Sequence, residues 1–328
     1  MRHDCWHPVA RTVDLGAAPR RAQLGHAALV VFRTGSGRVA ALDDACPHRG
    51  MALSEGRVAA DGRVVCPYHG WSFGADGAGR CPGTPRLEPC ATAWDAVERE
   101  GAIWVKRAGS VATFPDLGGR GFAPVTVLRH RALVPLEPLL DNFTEVEHTG
   151  QVHALFGYDT AALAAIETRV EATDDAVRVI NRGVQRALNP ALRGLLGLAP
   201  GDLFVDDWTT RFTPVHVTYD QSWADPRTGQ PRPRRLRVAV FFVPAGPGVT
   251  DLFTFVFVNS GDLRALLTDR LLRPLLTAFV ELEVRLDVRA VERLADKRPD
   301  LRGRRLGRFD RPLGEHRRRL ERLYGEDE

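Results

Sequence analysis

The sequence predicts an α+β fold class, in which an all-β segment precedes a second domain of strands and one long helix. Up to about residue 110, short alternating segments are separated by Gly, Pro and Asp, a pattern typical of hairpins. After a Gly/Pro-rich linker, longer strand candidates precede a helical pattern that runs from residue 262 to about 296. Strands followed by a long helix favour a curved antiparallel sheet packed around that helix. We therefore predict domains at residues 1–112 and 113–328.

Length and composition are typical of a two-domain globular chain. Its 328 residues are 44% hydrophobic and 26% charged. We find neither a signal-peptide pattern nor an apolar run of about 18 residues, so we expect a cytoplasmic protein with no membrane partner. The formal charge is +4. In the C-terminal tail, arginines alternate with acids and apolar residues, which is typical of a solvated helix face, so we expect no nucleic-acid partner.

Two short segments, CPHRG and CPYHGW, each offer one cysteine and one histidine: Cys46 with His48, and Cys66 with His69. The odd total of five cysteines favours reduced thiols and metal binding over a disulfide framework. Two thiolates and two imidazoles could bind one zinc ion, but zinc fingers usually group their cysteines together and their histidines together. One residue of each type per loop suits two metals, as in a 2Fe–2S cluster of the Rieske form. Both segments resemble the Rieske motif residue for residue, which implies that these four residues are the cluster ligands.

A second group of candidate ligands follows the linker, in the segment DNFTEVEHTGQVH. Asn142, Glu145 and His148 are spaced three apart, which predicts one helical face. On an unbroken helix His153 would point about 140° away from His148, and Gly150 offers a place for the helix to loosen so that both imidazoles meet. The segment resembles the iron-binding segment of Rieske non-haem iron oxygenases, where Asp usually stands at the position of Glu145. The resemblance implies a mononuclear Fe(II) bound by His148 and His153.

A facial iron site also needs a carboxylate, which we expect from the long C-terminal helix. Asp287 lies within an apolar stripe, where an unpartnered charge would be costly. Glu283 lies on the same side and is the alternative ligand; pairing of Asp287 with an arginine is another reading. LDVRAVE also resembles the family's Glu-Asp-x-x-x-x-Glu segment, with Leu286 in place of the first acid. The apolar positions within about 60° of Asp287 at 100° per residue are Leu276, Val280, Val284, Val291 and Leu294.

The resemblance spans the chain and is closest to oxygenase alpha subunits of the compact homotrimeric type, similar to vanillate demethylase or dicamba monooxygenase. It implies a helix-grip catalytic domain that uses O2, with electrons from NAD(P)H through a flavin reductase or ferredoxin, to hydroxylate or oxidatively demethylate a small organic substrate. It also implies that Glu145 links His69 of one chain to the iron site of its neighbour, with Asn142 near the iron. The alternatives are a ring cis-dihydroxylating dioxygenase, a non-catalytic Rieske electron-transfer protein with a ligand-binding domain, and a zinc-stabilised binding module.

The substrate pocket is expected between the sheet and the long helix. A largely apolar pocket would suit an aromatic, terpenoid or other natural-product skeleton. Five aromatic residues are candidates for its lining, although core packing is the expected role of each: Trp208, Phe212, Trp223, Phe241 and Phe255.

Overall fold

The computed structural model describes residues 2–153, 155–188, 190–259 and 263–324. It divides into two compact units, Met1–Pro115 with Val243–Pro247, and Asp116–Phe242 with Gly248–Glu328. The predicted domain boundary after residue 112 stays a prediction. Within the described ranges, no helix combines the length and the apolar character that a membrane span requires.

The first unit is built from strands, as the sequence predicts. They are β1 (His7–Arg11), β2 (Arg20–Leu24), β3 (Ala27–Arg33), β4 (Val39–Asp43), β5 (Arg57–Val58), β6 (Val64–Val65), β7 (Ser72–Phe73), β8 (Gly79–Arg80), β9 (Ala93–Arg99) and β10 (Ala102–Arg107). One sheet has the order β1-β10-β9-β4-β3-β2, and a smaller one has the order β5-β6-β7-β8. The loop with Cys46 connects β4 to β5, and the loop with Cys66 connects β6 to β7. The two candidate ligand loops therefore both adjoin the smaller sheet.

The second unit combines one large sheet with helices. Its elements are β11 (Ala123–Ala132), α1 (Leu136–Asn142), α2 (Thr149–Val152), β12 (Glu167–Ala172), β13 (Ala176–Val184), α3 (Pro190–Leu196), β14 (Leu203–Phe212), β15 (Val215–Ala224), β16 (Arg235–Pro244), β17 (Thr250–Asn259), α4 (Leu263–Glu292) and α5 (Arg311–Tyr324). The sheet has the order β11-β17-β16-β15-β14-β13-β12. The predicted α+β fold class is confirmed.

Helix α4 packs its apolar stripe into the core of the second unit. Val280, Val284 and Val291 are buried and belong to the same apolar cluster as residues of the sheet. Leu294, which the stripe was expected to include, is 41% exposed because the helix has already ended. The helix continues through Pro274, and the predicted start at residue 262 lies outside the described residues. The stripe holds α4 against the sheet, so an acid within it faces the protein interior.

The predicted helical face from Asn142 to His148 is wrong. Helix α1 ends at Asn142, and turns follow before α2 begins. The Thr144 hydroxyl donates a hydrogen bond to the carbonyl of Leu140 at 2.7 Å, which satisfies a helix-end acceptor and competes with continuation of the helix. The break therefore lies before His148, and Gly150 lies inside α2.

Close packing explains why residue 150 is a glycine. A Cβ there would lie 2.6 Å from the hydroxyl of Thr160 and 2.9 Å from its backbone nitrogen. We expect Gly150→Ala to lower the free energy of unfolding by about 1–3 kcal/mol, because α2 must move away from that backbone. In the control Gly194→Ala, a Cβ meets no atom of the described residues within 4 Å, and alanine favours a helix, so no loss is expected. Denaturant unfolding of both variants tests this, and equal stability would contradict it.

Candidate metal centres

The loops of Cys46 and Cys66 have the same backbone geometry. In each loop the cysteine N–H donates to the carbonyl five residues further on, at 2.8 and 2.7 Å. The cysteine carbonyl accepts a hydrogen bond from the glycine four residues on, at 2.8 Å for Gly50 and 3.2 Å for Gly70. Both glycines have φ +72°, a conformation that other residues adopt only with strain. Both cysteines therefore begin turns of the same type, and both are buried.

The four predicted cluster ligands lie in two contacting pairs. The thiols of Cys46 and Cys66 are each 2% exposed, and burial together with the neighbouring Cys66 thiol raises the pKa of Cys46. The rings of His48 and His69 lie 4.5 Å apart, and Trp71 stacks on His48. Among the described residues, Nδ1 of His48 is buried without a hydrogen-bond partner. Two adjacent thiols, two adjacent imidazoles and a free buried nitrogen fit the donor set of a Rieske cluster.

His148, His153 and Asp287 converge in the second unit, with one potential ligand atom from each lying within 4.8 Å of the others. Oδ1 of Asp287 lies 2.9 Å from Nε2 of His153 and 3.3 Å from Nε2 of His148. Asp287, which is 4% exposed, projects from the buried stripe of α4. The single turn of α2 separates the histidines, and His153 then adopts an extended conformation. This change of backbone direction brings the two rings to 4.9 Å between centroids.

Carboxylates also contact the outer nitrogens of both imidazoles. Oε1 of Glu145 is hydrogen-bonded to Nδ1 of His148. Oε2 of Glu283 lies 3.4 Å from Nδ1 of His153, while its Oε1 accepts the N–H of Leu155 at 2.9 Å. Carboxylates that hold the outer nitrogens of metal-binding histidines fix the ring orientation. Glu283, the alternative third ligand, therefore lies behind His153, whereas Asp287 faces both Nε2 atoms.

Asn142 and the charged groups around His148, His153 and Asp287, which we call the triad, complete this site. Nδ2 of Asn142 donates to Oδ1 of Asp287 at 3.0 Å and so orients the carboxylate. Burial alone would lower the pKa of His148, but hydrogen bonds to Asp287 and Glu145 raise it to about 10. Burial alone would raise the pKa of Asp287, but His153 and His148 hold it below its usual range. Three acids around two imidazoles leave an excess of negative charge, which a divalent cation would neutralise.

A cavity adjoins the triad. Its walls are mostly apolar, and it also reaches polar side chains that the sequence analysis missed: Asp206, Tyr219 and Gln221. Asp206 could have been found, because the two-residue period of β14 places it on the same face as Phe204 and Trp208. Of the five aromatic candidates Trp208 lines the cavity. The other four are buried and do not line it: Phe212, Trp223, Phe241 and Phe255.

Comparison with known proteins shows what the chain resembles. Residues 5–115 match the Rieske 2Fe-2S domain. The vanillate O-demethylase oxygenase subunit of Pseudomonas sp. (strain ATCC 19151) is 36% identical over 202 residues, with 57% of this chain and 59% of the relative covered. The same subunit of Pseudomonas sp. (strain HR199 / DSM 7063) is 32% identical over 227 residues, covering 64% and 62%. The chain thus matches about three fifths of the length of these relatives.

Solved structures share the fold over almost the whole chain. Dicamba monooxygenase bound to 3,6-dichlorosalicylic acid superposes with a TM-score of 0.79 at 20% identity, covering 98% of this chain and 97% of that one. The QL mutant of Pseudomonas putida CBB5 NdmA with caffeine gives a TM-score of 0.70 at 19% identity, covering 96% and 89%. At such identities the likeness shows the fold alone. The Rieske domain, the sequence relatives and this fold together support the resemblance to Rieske oxygenase alpha subunits that the two cysteine–histidine segments and the segment from Asn142 to His153 predict.

Proposed function

We propose that the chain is an oxygenase component that uses O2 to hydroxylate or oxidatively demethylate a small organic substrate. The observation that carries the proposal is the convergence of His148, His153 and Asp287 within 4.8 Å, beside an apolar cavity, in a chain that also has a Rieske domain. A protein that only carries electrons through its Rieske cluster needs no second group of metal ligands.

The Rieske domain would hold its cluster through Cys46 and Cys66 on one iron and His48 and His69 on the other. When bound, such a cluster supplies single electrons, at a higher potential than an all-thiolate cluster because two ligands are neutral. His69 is exposed, so its ring is accessible to another molecule. Cys46 and Cys66 are 2% exposed, which keeps water away from the thiolates.

The second unit would hold Fe(II) through His148, His153 and Asp287, the two-histidine, one-carboxylate arrangement that leaves positions open. When bound, the iron supplies the binding and activation of O2. Asn142 orients Asp287 by its hydrogen bond of 3.0 Å. Glu145 and Glu283 hold the outer nitrogens of the imidazoles, and the apolar walls of the cavity exclude water from the substrate.

Glu145 has a second role in this proposal. Its carboxylate links His148 to His69 of a neighbouring copy in a homotrimer, so that electrons pass between chains. The hydrogen bond of Glu145 to His148 supplies one half of that link. The cluster would be reduced by a ferredoxin or a flavin reductase, with NAD(P)H as the source of electrons.

The relatives support the kind of oxidation that we propose. Two of them are vanillate O-demethylase oxygenase subunits, so we favour hydroxylation or demethylation, which uses one oxygen atom per product. Dihydroxylation of a ring is the alternative, and it would place two oxygen atoms in the product. Both reactions need the same ligands.

Oxygen uptake by the iron-loaded protein with a ferredoxin and its reductase tests the proposal. We expect uptake that depends on substrate, in a screen of methoxylated aromatic, alkylated aromatic and terpenoid compounds. Labelled O2 should place one labelled oxygen in a hydroxylated product, and formaldehyde should accompany demethylation. If the reduced protein passes no electrons to O2 with any of these classes, the proposal fails and the electron-transfer alternative is favoured.

A further inference from the structure

Asp206 is a buried acid in the cavity wall. It lies on β14 between Phe204 and Trp208, on the face that points to the core, and it is 7% exposed. The next residue, Asp207, points to the opposite face and forms an ion pair with Arg178 at 2.6 Å. A carboxylate therefore lies on the interior face of the strand, between two aromatic residues.

Outside the group of His148, His153, Asp287 and Glu283, two other deeply buried acids of this unit have arginine partners. Asp202 pairs with Arg232 at 2.5 Å, and Asp251 pairs with Arg131 at 2.8 Å. Asp206 has no such ion pair among the described residues. Burial raises the pKa of Asp206 to about 6, and the hydrogen bond from Gln221 acts in the opposite direction. A buried charge is costly unless it is paired, so a missing partner at this position is informative.

The polar groups around Asp206 are incompletely bonded. Nε2 of Gln221, on the adjacent strand, donates to Oδ1 of Asp206 at 3.2 Å. On the other side, Asn181 is the register partner of Asp206 and is fully buried, and its Nδ2 has no partner among the described residues. The indole N–H of Trp208, which lines the cavity, likewise has none there. Buried polar groups with unused hydrogen-bond donors therefore lie beside Asp206.

The hydroxyl of Tyr219, which also lines the cavity, does not donate a hydrogen bond to the carboxylate of Asp206. It donates a hydrogen bond to the carbonyl of Phe143. No arginine or lysine among the described residues forms an ion pair with Asp206, and His148 and His153 are engaged with Asp287. The ligand that enters the cavity can supply the missing donor.

We propose that Asp206 determines the class of substrate: it accepts a hydrogen bond from an N–H or O–H group of the substrate, most strongly from a protonated amine, and repels a carboxylate. This inference rests on the proposed function and narrows its substrate. Gln221 holds the carboxylate in place, and the apolar walls contact the carbon skeleton. A buried carboxylate opposite a substrate carboxylate would add a second unpaired charge, which gives discrimination by repulsion.

Three probes that differ in one substituent test the inference: 4-methoxybenzylamine, 4-methoxybenzyl alcohol and 4-methoxybenzoate. Calorimetry on the iron-loaded protein without O2 gives their dissociation constants. We expect the amine to bind at least about tenfold more tightly than the benzoate, with the alcohol between them. In Asp206→Asn the ratio should fall to about threefold or less, whereas in the control Asp207→Asn it should stay unchanged.

Several results would overturn the inference. These are equal or tighter binding of the benzoate, no measurable binding of the amine, and a preference that survives in Asp206→Asn. If Asp206→Asn loses iron while its selectivity is unchanged, the carboxylate serves only to balance the metal charge, and the inference fails. Failure of the proposed function looks different: the amine would bind with the expected preference but would not be oxidised. Oxidation of the benzoate in preference to the amine would reject the inference and leave the oxygenase intact.

Discussion

Replacement of His153 by alanine is expected to abolish substrate oxidation while leaving the Rieske cluster in place. His153 contributes Nε2, 2.9 Å from Oδ1 of Asp287, so its loss removes one of three proposed ligand atoms. The cluster ligands belong to the other unit and are not touched. Metal analysis should show about two irons per chain in His153→Ala against about three in the wild type, because the cluster keeps its pair and the mononuclear ion is lost. The visible spectrum of the cluster should be unchanged.

The exposed His26 provides a control for that variant. His26→Ala should keep all of its iron and its activity. If His153→Ala retained full iron and normal oxygen uptake, His153 would not be a ligand. If it lost the cluster as well, the effect would be on folding, and His148→Ala would then have to show the selective loss of one iron.

Replacement of Glu145 by glutamine is expected to leave both metals bound and to slow turnover. Glutamine preserves the volume of the side chain but cannot carry the negative charge that Glu145 presents to Nδ1 of His148. Changes to groups that hold a metal-binding histidine typically cost about 10- to 100-fold in activity or metal affinity. Because we assign Glu145 to the electron route and not to ligation, the loss should fall on activity.

The measurement that separates these roles is the rate at which a pre-reduced cluster is oxidised in a single turnover. In Glu145→Gln both the rate of cluster oxidation and the turnover rate should fall, while the iron content stays that of the wild type. The neighbouring Glu147, which is exposed, supplies a matched control, and Glu147→Gln should behave as the wild type. Normal coupled activity in Glu145→Gln would remove the bridging role.

The sequence reveals the local parts of both candidate metal centres. Cys46 and Cys66 start turns whose hydrogen bonds close within five residues, so each motif is complete in its own segment. Asp287 could be predicted because the helical period places it among apolar residues that the structure buries. The first of these predictions relies on a local motif and the second on the helical period, both of which a sequence displays directly.

The parts that the sequence does not reveal depend on longer contacts or on backbone competition. The hydrogen bond from Asn142 to Asp287 joins residues 145 positions apart. Helical spacing suggested a continuous helix up to His148, but the hydroxyl of Thr144 bonds to the end of α1 and stops it. The surroundings of Asp206 are formed by neighbouring strands, and the register that places Gln221 beside it cannot be read from the sequence of one strand.

The central claim is that one chain holds a two-iron cluster and a separate mononuclear iron. Iron and acid-labile sulfide, measured together on wild-type protein prepared with excess Fe(II), test it most directly. The ligand sets predict about three irons and about two sulfides per chain. Equal amounts of iron and sulfide, with no additional ferrous ion at His148, His153 and Asp287, would contradict it.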